Sequence, residues 1–140
     1  MYNDIDKVQD EIIQDFSKFN DWFEIYEYLI QIGKKFKPVD ETLLIDEYSI
    51  SGCQSKVWLK ADIIEERIHY SAYSDSLIVK GIISLLLKVL NNNTPTDVVN
   101  ADLYFIEKIG LGSNLSPSRS NGLMSIIKNM RLYAKKVMKN

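Results

Sequence analysis

Residues 55–74, with the sequence SKVWLKADIIEERIHYSAYS, decide the fold of this 140-residue chain. Apolar and polar residues alternate within 55–63 and again within 67–74, so each run presents one apolar face, as a half-buried strand does. The apolar faces hold Val57, Leu59, Ala61 and Ile63 in the first run and Ile68, Tyr70 and Ala72 in the second. The acidic pair Glu65-Glu66 separates the two runs, and we therefore predict a β-hairpin.

This hairpin is expected to belong to a larger sheet. The strand-like segment at 44–50 predicts a shorter third strand, which would complete a three-stranded antiparallel sheet. No Asn-Gly or Asp-Gly pair stands at the hairpin turn, so the sequence does not specify the turn type.

Helical periodicity precedes the sheet. Apolar residues recur at helical spacing over 4–17, which predicts an amphipathic helix. A second helix is predicted to begin after Asn20, its N-cap, and to end at Gly33. Residues 36–41 follow as a predicted loop.

Helical periodicity returns after the sheet. Thr94-Pro95 and Ser116-Pro117 have the cap-plus-proline pattern that favours a helix start, and residues 74–76 are candidate caps for the helix that follows the hairpin. The predicted helices lie at 78–89, 95–100, 102–109 (ending at Gly110) and 117–138. Helices, a β-meander and helices in this order indicate one α+β domain over residues 1–140, with the sheet packed by helices.

Composition excludes several classes of protein. Hydrophobic residues make up 46% of the chain and charged residues 26%, as in a globular domain and unlike a disordered chain. The acidic start at residues 1–6 predicts neither a signal peptide nor a transit peptide. The longest apolar stretch, 82–90, is interrupted by polar residues and is far shorter than the roughly 20 residues of a membrane span. We therefore expect a cytoplasmic protein that makes no membrane contact.

Charge is distributed unevenly along the chain. Residues 1–70 carry 8 basic and 15 acidic side chains, a net −7, whereas residues 71–140 carry 9 and 4, a net +5. The basic C-terminal stretch can be a patch for an acidic partner, or a helix whose cations lie at the end that the macrodipole favours. Because the whole chain carries a net −2 and its first half is acidic, we predict no nucleic-acid binding.

The chain has one cysteine, Cys53, and one histidine, His69. A single thiol forms no internal disulfide, and one Cys with one His cannot complete a structural zinc site, so we predict no bound metal. Cys53 follows Gly52 between two predicted strands, where a loop would expose a functional thiol; a small buried hydrophobic residue is the competing interpretation. His69 invites a Cys–His nucleophile hypothesis, but its strand face predicts a solvent-facing side chain.

Other catalytic signatures are absent from the sequence. Ser84 and Ser125 lie within predicted helices and lack a G-x-S-x-G context, and there is no glycine-rich nucleotide-binding motif. Residues 116–122, SPSRSNG, place Arg119 in the first turn of the last helix, where the macrodipole disfavours a cation. Amides, hydroxyls and a guanidinium in that turn suit an anion or a thiolate. Capping by Ser116, with Arg119 paired to a carboxylate, remains the alternative.

Three stretches together resemble the SufE family, the sulfur-acceptor proteins of the SUF iron–sulfur assembly system. They are GCQSKVW at 52–58, SDSLIVKG at 74–81 and SPSRSNG at 116–122, and they occur in the order and at the spacing of that family. The resemblance covers essentially the whole chain. It implies a SufE/IscU-like fold with a three-stranded antiparallel sheet packed by helices.

The resemblance also implies a function. Cys53 would accept a sulfur atom from a SufS-type cysteine desulfurase, carry it as a persulfide and pass it to an Fe–S scaffold. Arg119 would support that site, while Gly52, Gln54, Ser55 and Asp75 are candidates for the loop and for partner contact. The chain would stimulate the desulfurase without turnover of its own and would need no cofactor, because pyridoxal phosphate belongs to the desulfurase.

Two other functions remain open from the residues. The chain could act alone as a thiol-dependent sulfurtransferase or hydrolase through Cys53, or it could be an interaction module whose cysteine is inert. The sequence also leaves the oligomeric state open, with a homodimer as one option. With one thiol it cannot supply the usual thiolate set of an Fe–S cluster.

Overall fold

The centre of the fold is an antiparallel hairpin of β1 (Val57–Ile64) and β2 (Arg67–Ser74), seen in a computed structural model that describes residues 4–37 and 40–138. The register runs from Val57 opposite Ser74 to Ile64 opposite Arg67. The predicted alternation is confirmed along β2, where every second residue from Ile68 to Ser74 is buried. In β1 it holds for Val57 and Leu59 only, because the strand then extends past the core and exposes Ile63.

The hairpin turn consists of Glu65 and Glu66, both with positive φ, at 52° and 67°. A two-residue hairpin loop of this kind needs left-handed backbone at both central positions, for which Asn and Gly are the usual residues. Two glutamates adopt it here because the cross-strand packing fixes the register on either side. The turn type was therefore not readable from the turn residues.

The predicted third strand at 44–50 is wrong: within the described part of the chain, the sheet has two strands. Two 3₁₀ turns, Glu41–Leu43 and Asp46–Tyr48, occupy most of this segment. Asp40 caps the first turn by accepting from the Thr42 N–H at 3.0 Å. Because these turns use the backbone groups locally, only the end of the segment reaches β1: Ser49 forms a bridge with Trp58 and the Ile50 N–H donates to the Val57 carbonyl at 2.9 Å.

Two helices precede the sheet, as predicted. α1 (Ile5–Phe16) begins after Asp4, whose carboxylate accepts from the Lys7 N–H. α2 (Trp22–Lys34) begins after Asp21, one residue later than expected. Gly33 does not end α2 but lies within it.

Glycine at position 33 serves a close helix crossing instead. α3 (Leu77–Leu90) packs against α2 so closely that a Cβ at Gly33 would overlap the Leu77 carbonyl oxygen, and a Cβ at Gly81 would overlap that of Leu29. The two glycines therefore let the two backbones touch. The predicted helix at 78–89 is confirmed, with Ser76 as its N-cap.

The remaining helices lie after α3. They are α4 (Pro95–Asn100), α5 (Phe105–Lys108), α6 (Leu111–Asn114) and α7 (Pro117–Met138). The helix predicted at 102–109 begins late because the fully buried Gln9 holds the preceding turn: its amide donates to the Asp102 carbonyl and accepts from the Phe105 N–H. Gly110, with φ +89°, ends α5 as predicted and starts α6, which the sequence did not predict.

The core lies between the inner face of the hairpin and α3, with α7 closing it on the side of β1. Tyr70 on β2 is buried and donates its hydroxyl to the Met130 carbonyl on α7 at 2.5 Å. The result is a mixed fold of helices around a small antiparallel sheet. Among residues 4–37 and 40–138, none of the helices combines the length and the apolar character that a membrane crossing requires.

Candidate functional site

Cys53 lies on the loop that leads into β1, and α7 holds this loop from the other side. Gly52 has φ +86°, a left-handed conformation that a glycine adopts without strain. The Ser125 hydroxyl on α7 donates to the Ser51 carbonyl at 2.7 Å, and the Cys53 thiol points at the Gly122 carbonyl at 3.6 Å. The thiol is thus half-buried between loop and helix rather than free in solvent.

A cavity of about 30 Å³ opens beside the Cys53 thiol. Its walls are largely apolar, and its polar lining comes from the Cys53 loop and the first turn of α7. The apolar walls are the side chains of Val57, Val79, Ile82, Leu123 and Ile126. A cavity needs roughly 10–15 Å³ to hold one water molecule, so this one has room for one further atom on the sulfur.

A side-chain hydrogen bond joins the Cys53 loop to the first turn of α7. Ser118 on α7 donates to the Gln54 side-chain oxygen at 3.0 Å, although the two residues are 64 positions apart in the chain. Ser55 is half-buried and lines the same cavity. The structure therefore brings together 52–55 and 116–122, which the sequence singled out separately.

Arg119 lies at the rim of this cavity and is exposed. Its guanidinium lies 5.9 Å from the centre of the Tyr26 ring, and its Nη1 lies 3.5 Å from the Tyr26 hydroxyl. Its backbone N–H faces the Ser116 hydroxyl at 3.4 Å, as the capping alternative expected. Among the described residues, the Arg119 guanidinium therefore contacts the Tyr26 ring of α2 and no carboxylate. Its positive charge is not neutralised by this contact.

Asp75 lies below the loop, not in the cavity. Its carboxylate accepts from the Lys56 N–H at 3.1 Å, and the neighbouring Ser74 hydroxyl donates to the Lys56 carbonyl at 2.8 Å. These bonds fix the point where the loop enters β1. Asp75 is therefore placed to hold the base of the Cys53 loop, since it lines none of the described walls around the thiol.

The environment of Cys53 favours the thiol over the thiolate in the free protein. Burial raises the pKa of the Cys53 thiol above its ordinary value, and a hydrogen bond from Ser125 opposes part of that rise. The single Ser125 hydroxyl proton serves one acceptor at a time, and in the structure it is donated to the Ser51 carbonyl, with the two oxygens 2.7 Å apart. Turning this hydroxyl toward the sulfur would stabilise the thiolate.

We expect Ser125→Ala to raise the pKa of Cys53 further, because it removes the hydroxyl that stabilises the thiolate. The rate of Cys53 alkylation by iodoacetamide, followed against pH, should then show its midpoint at a higher pH than in the wild type. Ser125→Thr keeps a hydroxyl at this position and is the matched control. An unchanged midpoint in Ser125→Ala would show that the hydroxyl does not act on the thiol.

Sequence reasoning gave no role at this site to three residues, although one of them, Gly122, lies in the stretch 116–122 that it singled out. Ser125 and Gly122 form the α7 wall against Cys53, and Tyr26 receives Arg119. A signal for two of them was present: Ser118, Gly122 and Ser125 repeat at i, i+4 and i+7, which places small residues along one face of a helix. Nothing in the sequence pointed to Tyr26, because the contact joins elements that are distant in the chain.

His69 does not join the site. In the hairpin register, His69 on β2 lies opposite Asp62 on β1. Asp62 is five residues along β1 from Val57, the residue at which the strand begins after the Cys53 loop. At about 3.3 Å per residue this places it roughly 16 Å from the start of β1. In the part of the chain that the structure describes, no three His, Cys, Asp or Glu side chains gather in a group that could hold a metal ion.

Three comparisons with known proteins bear on this chain, two on its family and one on its fold. A family model described as "SufE: Fe-S metabolism associated domain" matches residues 10–134. A SufE-like protein from Synechocystis is 38% identical over 124 residues, which cover 89% of this chain and 78% of that protein. The solution structure of a hypothetical protein from Thermus thermophilus superposes with a TM-score of 0.76 at 17% identity and covers all of both chains, which is a likeness of fold.

Proposed function

We propose, from the premise that this chain belongs to the SufE family, that it accepts sulfur on Cys53 from the persulfide of a SufS-type cysteine desulfurase. The family domain is associated with Fe–S metabolism. The observation that carries the proposal is the half-buried Cys53 thiol with a cavity of about 30 Å³ beside it. Such a cavity suits a thiol that gains one atom.

The transfer is an exchange between a thiolate and a persulfide. The Cys53 thiolate attacks the outer sulfur of the desulfurase persulfide, and a new S–S bond forms on Cys53. The original S–S bond breaks, and its electron pair leaves on the cysteine of the desulfurase as a thiolate. The outer sulfur moves with its proton, so the step needs no external oxidant or reductant.

The apolar cavity suits the product of this step. A persulfide on Cys53 would place its outer sulfur among Val57, Ile82 and Leu123, away from bulk solvent. Exclusion of water and of solutes from such a space limits side reactions of a labile group. The sulfur would be released when a second partner, an Fe–S scaffold, exposes it.

The same burial means that the free protein is held in a weakly reactive state. Because burial raises the pKa of Cys53, the thiolate fraction near neutral pH is small until the loop changes its environment. Docking of the desulfurase would supply that change. This chain would thus need no cofactor of its own, since the pyridoxal phosphate chemistry stays in the partner.

Desulfurase turnover with wild type and with Cys53→Ser tests the proposal. The SufS-type desulfurase is supplied with L-cysteine, and alanine production is followed with and without this protein. We expect the wild type to raise the rate and Cys53→Ser, which keeps the size of the side chain, to leave it at the basal value. Equal stimulation by both proteins would contradict sulfur acceptance on Cys53.

A second experiment distinguishes a sulfur acceptor from an enzyme that acts alone. The isolated protein is incubated with thiosulfate and with thioester substrates in the absence of any desulfurase. We expect no turnover, because the one histidine of the chain lines neither of the cavities beside Cys53 and lies roughly 16 Å along the hairpin from the start of β1. Turnover that depends on Cys53 would instead support a stand-alone sulfurtransferase or hydrolase.

We expect Arg119→Ala to slow persulfide loading of Cys53 about tenfold, because a hydrogen bond to an anion from this guanidinium is worth at least about 1.4 kcal/mol. Its positive charge lies at the cavity rim without a described carboxylate partner, so it can turn toward the thiolate. Loading is measured by quenched-flow mass spectrometry. Tyr26→Phe keeps the ring below Arg119 and is the control; unchanged loading in Arg119→Ala would exclude this role.

A further inference from the structure

Arg119 lies close to the Cys53 thiol along α7, although its guanidinium contacts another element. Gly122 faces Cys53 so closely that a Cβ at this glycine would lie 3.8 Å from the Cys53 Sγ atom. Arg119 precedes Gly122 by three residues, so the two are neighbours on the helix surface, about 4.5 Å apart along its axis. Arg119 and Cys53 also line the same cavity. Rotation of the long arginine side chain can therefore bring its charge to the sulfur.

The contact that turns Arg119 away from the thiol comes from α2. The guanidinium carbon lies 5.9 Å from the centre of the Tyr26 ring, within the range of a cation–π interaction, and Nη1 lies 3.5 Å from the Tyr26 hydroxyl. Among the described residues, the ion pairs do not include Arg119. Trp22 packs edge-on against Tyr26, with the ring centres 6.1 Å apart. The guanidinium thus lies against an aromatic ring that is itself supported by packing.

In this arrangement the charge of Arg119 does not act on the thiol. Burial raises the pKa of Cys53 and the Ser125 hydroxyl opposes that rise, while no charged group contributes. The other charged side chains beside Cys53 are Asp46 and Lys56, which line a second cavity of about 210 Å³, and α3 adds only apolar side chains. A cation within about 4–6 Å favours the thiolate. Moving Arg119 from the ring to the sulfur would therefore lower the pKa of Cys53.

We propose that Tyr26 is a positioning residue, which keeps the Arg119 guanidinium away from the Cys53 sulfur in the free protein. The Tyr26 ring and the Cys53 thiolate compete for this one cation, so the thiolate gains the charge only when Arg119 leaves the ring. The inference deepens the proposed function and rests on it: a docked desulfurase that separates Arg119 from Tyr26 would activate Cys53 as its persulfide arrives. Arg119 itself forms no covalent bond and transfers no proton in this step.

The expected effect of this contact is modest and measurable. Arg119 is exposed, and a cation–π contact at an exposed site is weak. Loss of the Tyr26 ring should therefore raise the thiolate fraction of Cys53 about threefold, which corresponds to about half a pH unit. In the free protein the contact makes Cys53 less reactive toward electrophiles other than the persulfide of a docked desulfurase.

Alkylation of the free protein by iodoacetamide, followed against pH, tests this proposal without a desulfurase. Tyr26→Leu removes the ring, and we expect the midpoint to fall by about half a pH unit and the rate near neutral pH to rise about threefold. Tyr26→Phe keeps the ring and should retain the wild-type midpoint. Circular dichroism shows whether each variant is folded, and Tyr26→Gln is a second variant without a ring.

The Arg119→Ala background separates release of the guanidinium from a change in packing. There, Tyr26→Leu should leave the midpoint where Arg119→Ala alone places it, because no charge remains to be released. An unchanged midpoint in folded Tyr26→Leu and Tyr26→Gln, or an equal fall in the Arg119→Ala background, would overturn the proposal. Since this assay measures only the thiol of the free protein, its failure is distinct from a failure to accept sulfur from a desulfurase.

Discussion

Gly81→Ala is expected to lower the free energy of unfolding by about 2–3 kcal/mol, as overpacking of a tight core contact does. A Cβ at this position would overlap the backbone carbonyl oxygen of Leu29 on α2. A backbone atom inside a helix cannot rotate away as a side chain can, so α2 and α3 must separate along their shared surface. Chemical denaturation monitored by circular dichroism measures the change in the free energy of unfolding. An equal slope of the transition in wild type and variant shows that the two native states are comparable.

Gly112→Ala is the matched control for this prediction. A Cβ there would meet only the carboxylate of Glu107, the free end of an exposed side chain, which can swing aside. Gly112 lies in α6, so alanine also favours the helix by up to about 1 kcal/mol. The control should be as stable as the wild type or slightly more so. Equal stability of Gly81→Ala and Gly112→Ala would mean that α2 and α3 do not pack backbone to backbone.

Gly52→Ala should slow persulfide loading of Cys53 at least tenfold while the protein remains folded. Position 52 has φ +86°, which costs a residue with a Cβ about 1–2 kcal/mol. The new Cβ would also lie 3.2 Å from the Ser125 hydroxyl oxygen, so this hydroxyl or the loop must move by a few tenths of an ångström. A shift of about 1 Å at a reacting atom can cost a hundredfold in rate.

The adjacent Ser51→Ala variant is the control for Gly52→Ala. It makes the loop less polar but leaves the backbone of the loop in place. The Ser51 side chain is exposed, and its carbonyl, which the substitution keeps, receives the Ser125 hydroxyl. We expect Ser51→Ala to load sulfur at the wild-type rate. Quenched-flow mass spectrometry measures both variants, and wild-type loading by Gly52→Ala would show that the left-handed turn does not position Cys53.

The hairpin was predictable because its signal is local and repeated. Alternation over 67–74 places every second residue toward the core, and the structure confirms it. The third strand at 44–50 could not be excluded in the same way, because its apolar residues also suit a segment of 3₁₀ turns. What decides between the two is a set of short polar contacts, such as that of Asp40 with Thr42, which outweigh a weak strand preference.

The glycines also show the limit of predicting structure from a local sequence pattern. Gly33 and Gly110 have the same pattern in sequence, a glycine after an apolar stripe, and both were predicted to end helices. Gly110 does so with φ +89°, whereas Gly33 lies inside α2 at its crossing with Leu77 and Gly81 of α3. A crossing partner more than 40 residues away is not visible in the local pattern.

The candidate site was also only partly predictable from the sequence. Cys53 and Arg119 were recognised from their motifs, and the structure places both at one cavity. Ser125 was set aside because it sits within a helix without a hydrolase motif, yet its hydroxyl holds the loop at Ser51. Its importance comes from α7 crossing the Cys53 loop, a tertiary contact.

Intact-mass spectrometry of the protein after incubation with a SufS-type desulfurase and L-cysteine tests the central claim most directly. A persulfide adds one sulfur atom, about 32 Da, and peptide mapping locates it. We predict this addition on Cys53 only when both desulfurase and L-cysteine are present, and its removal by a thiol reductant. A wild-type protein that binds the desulfurase but never gains this mass would contradict the account.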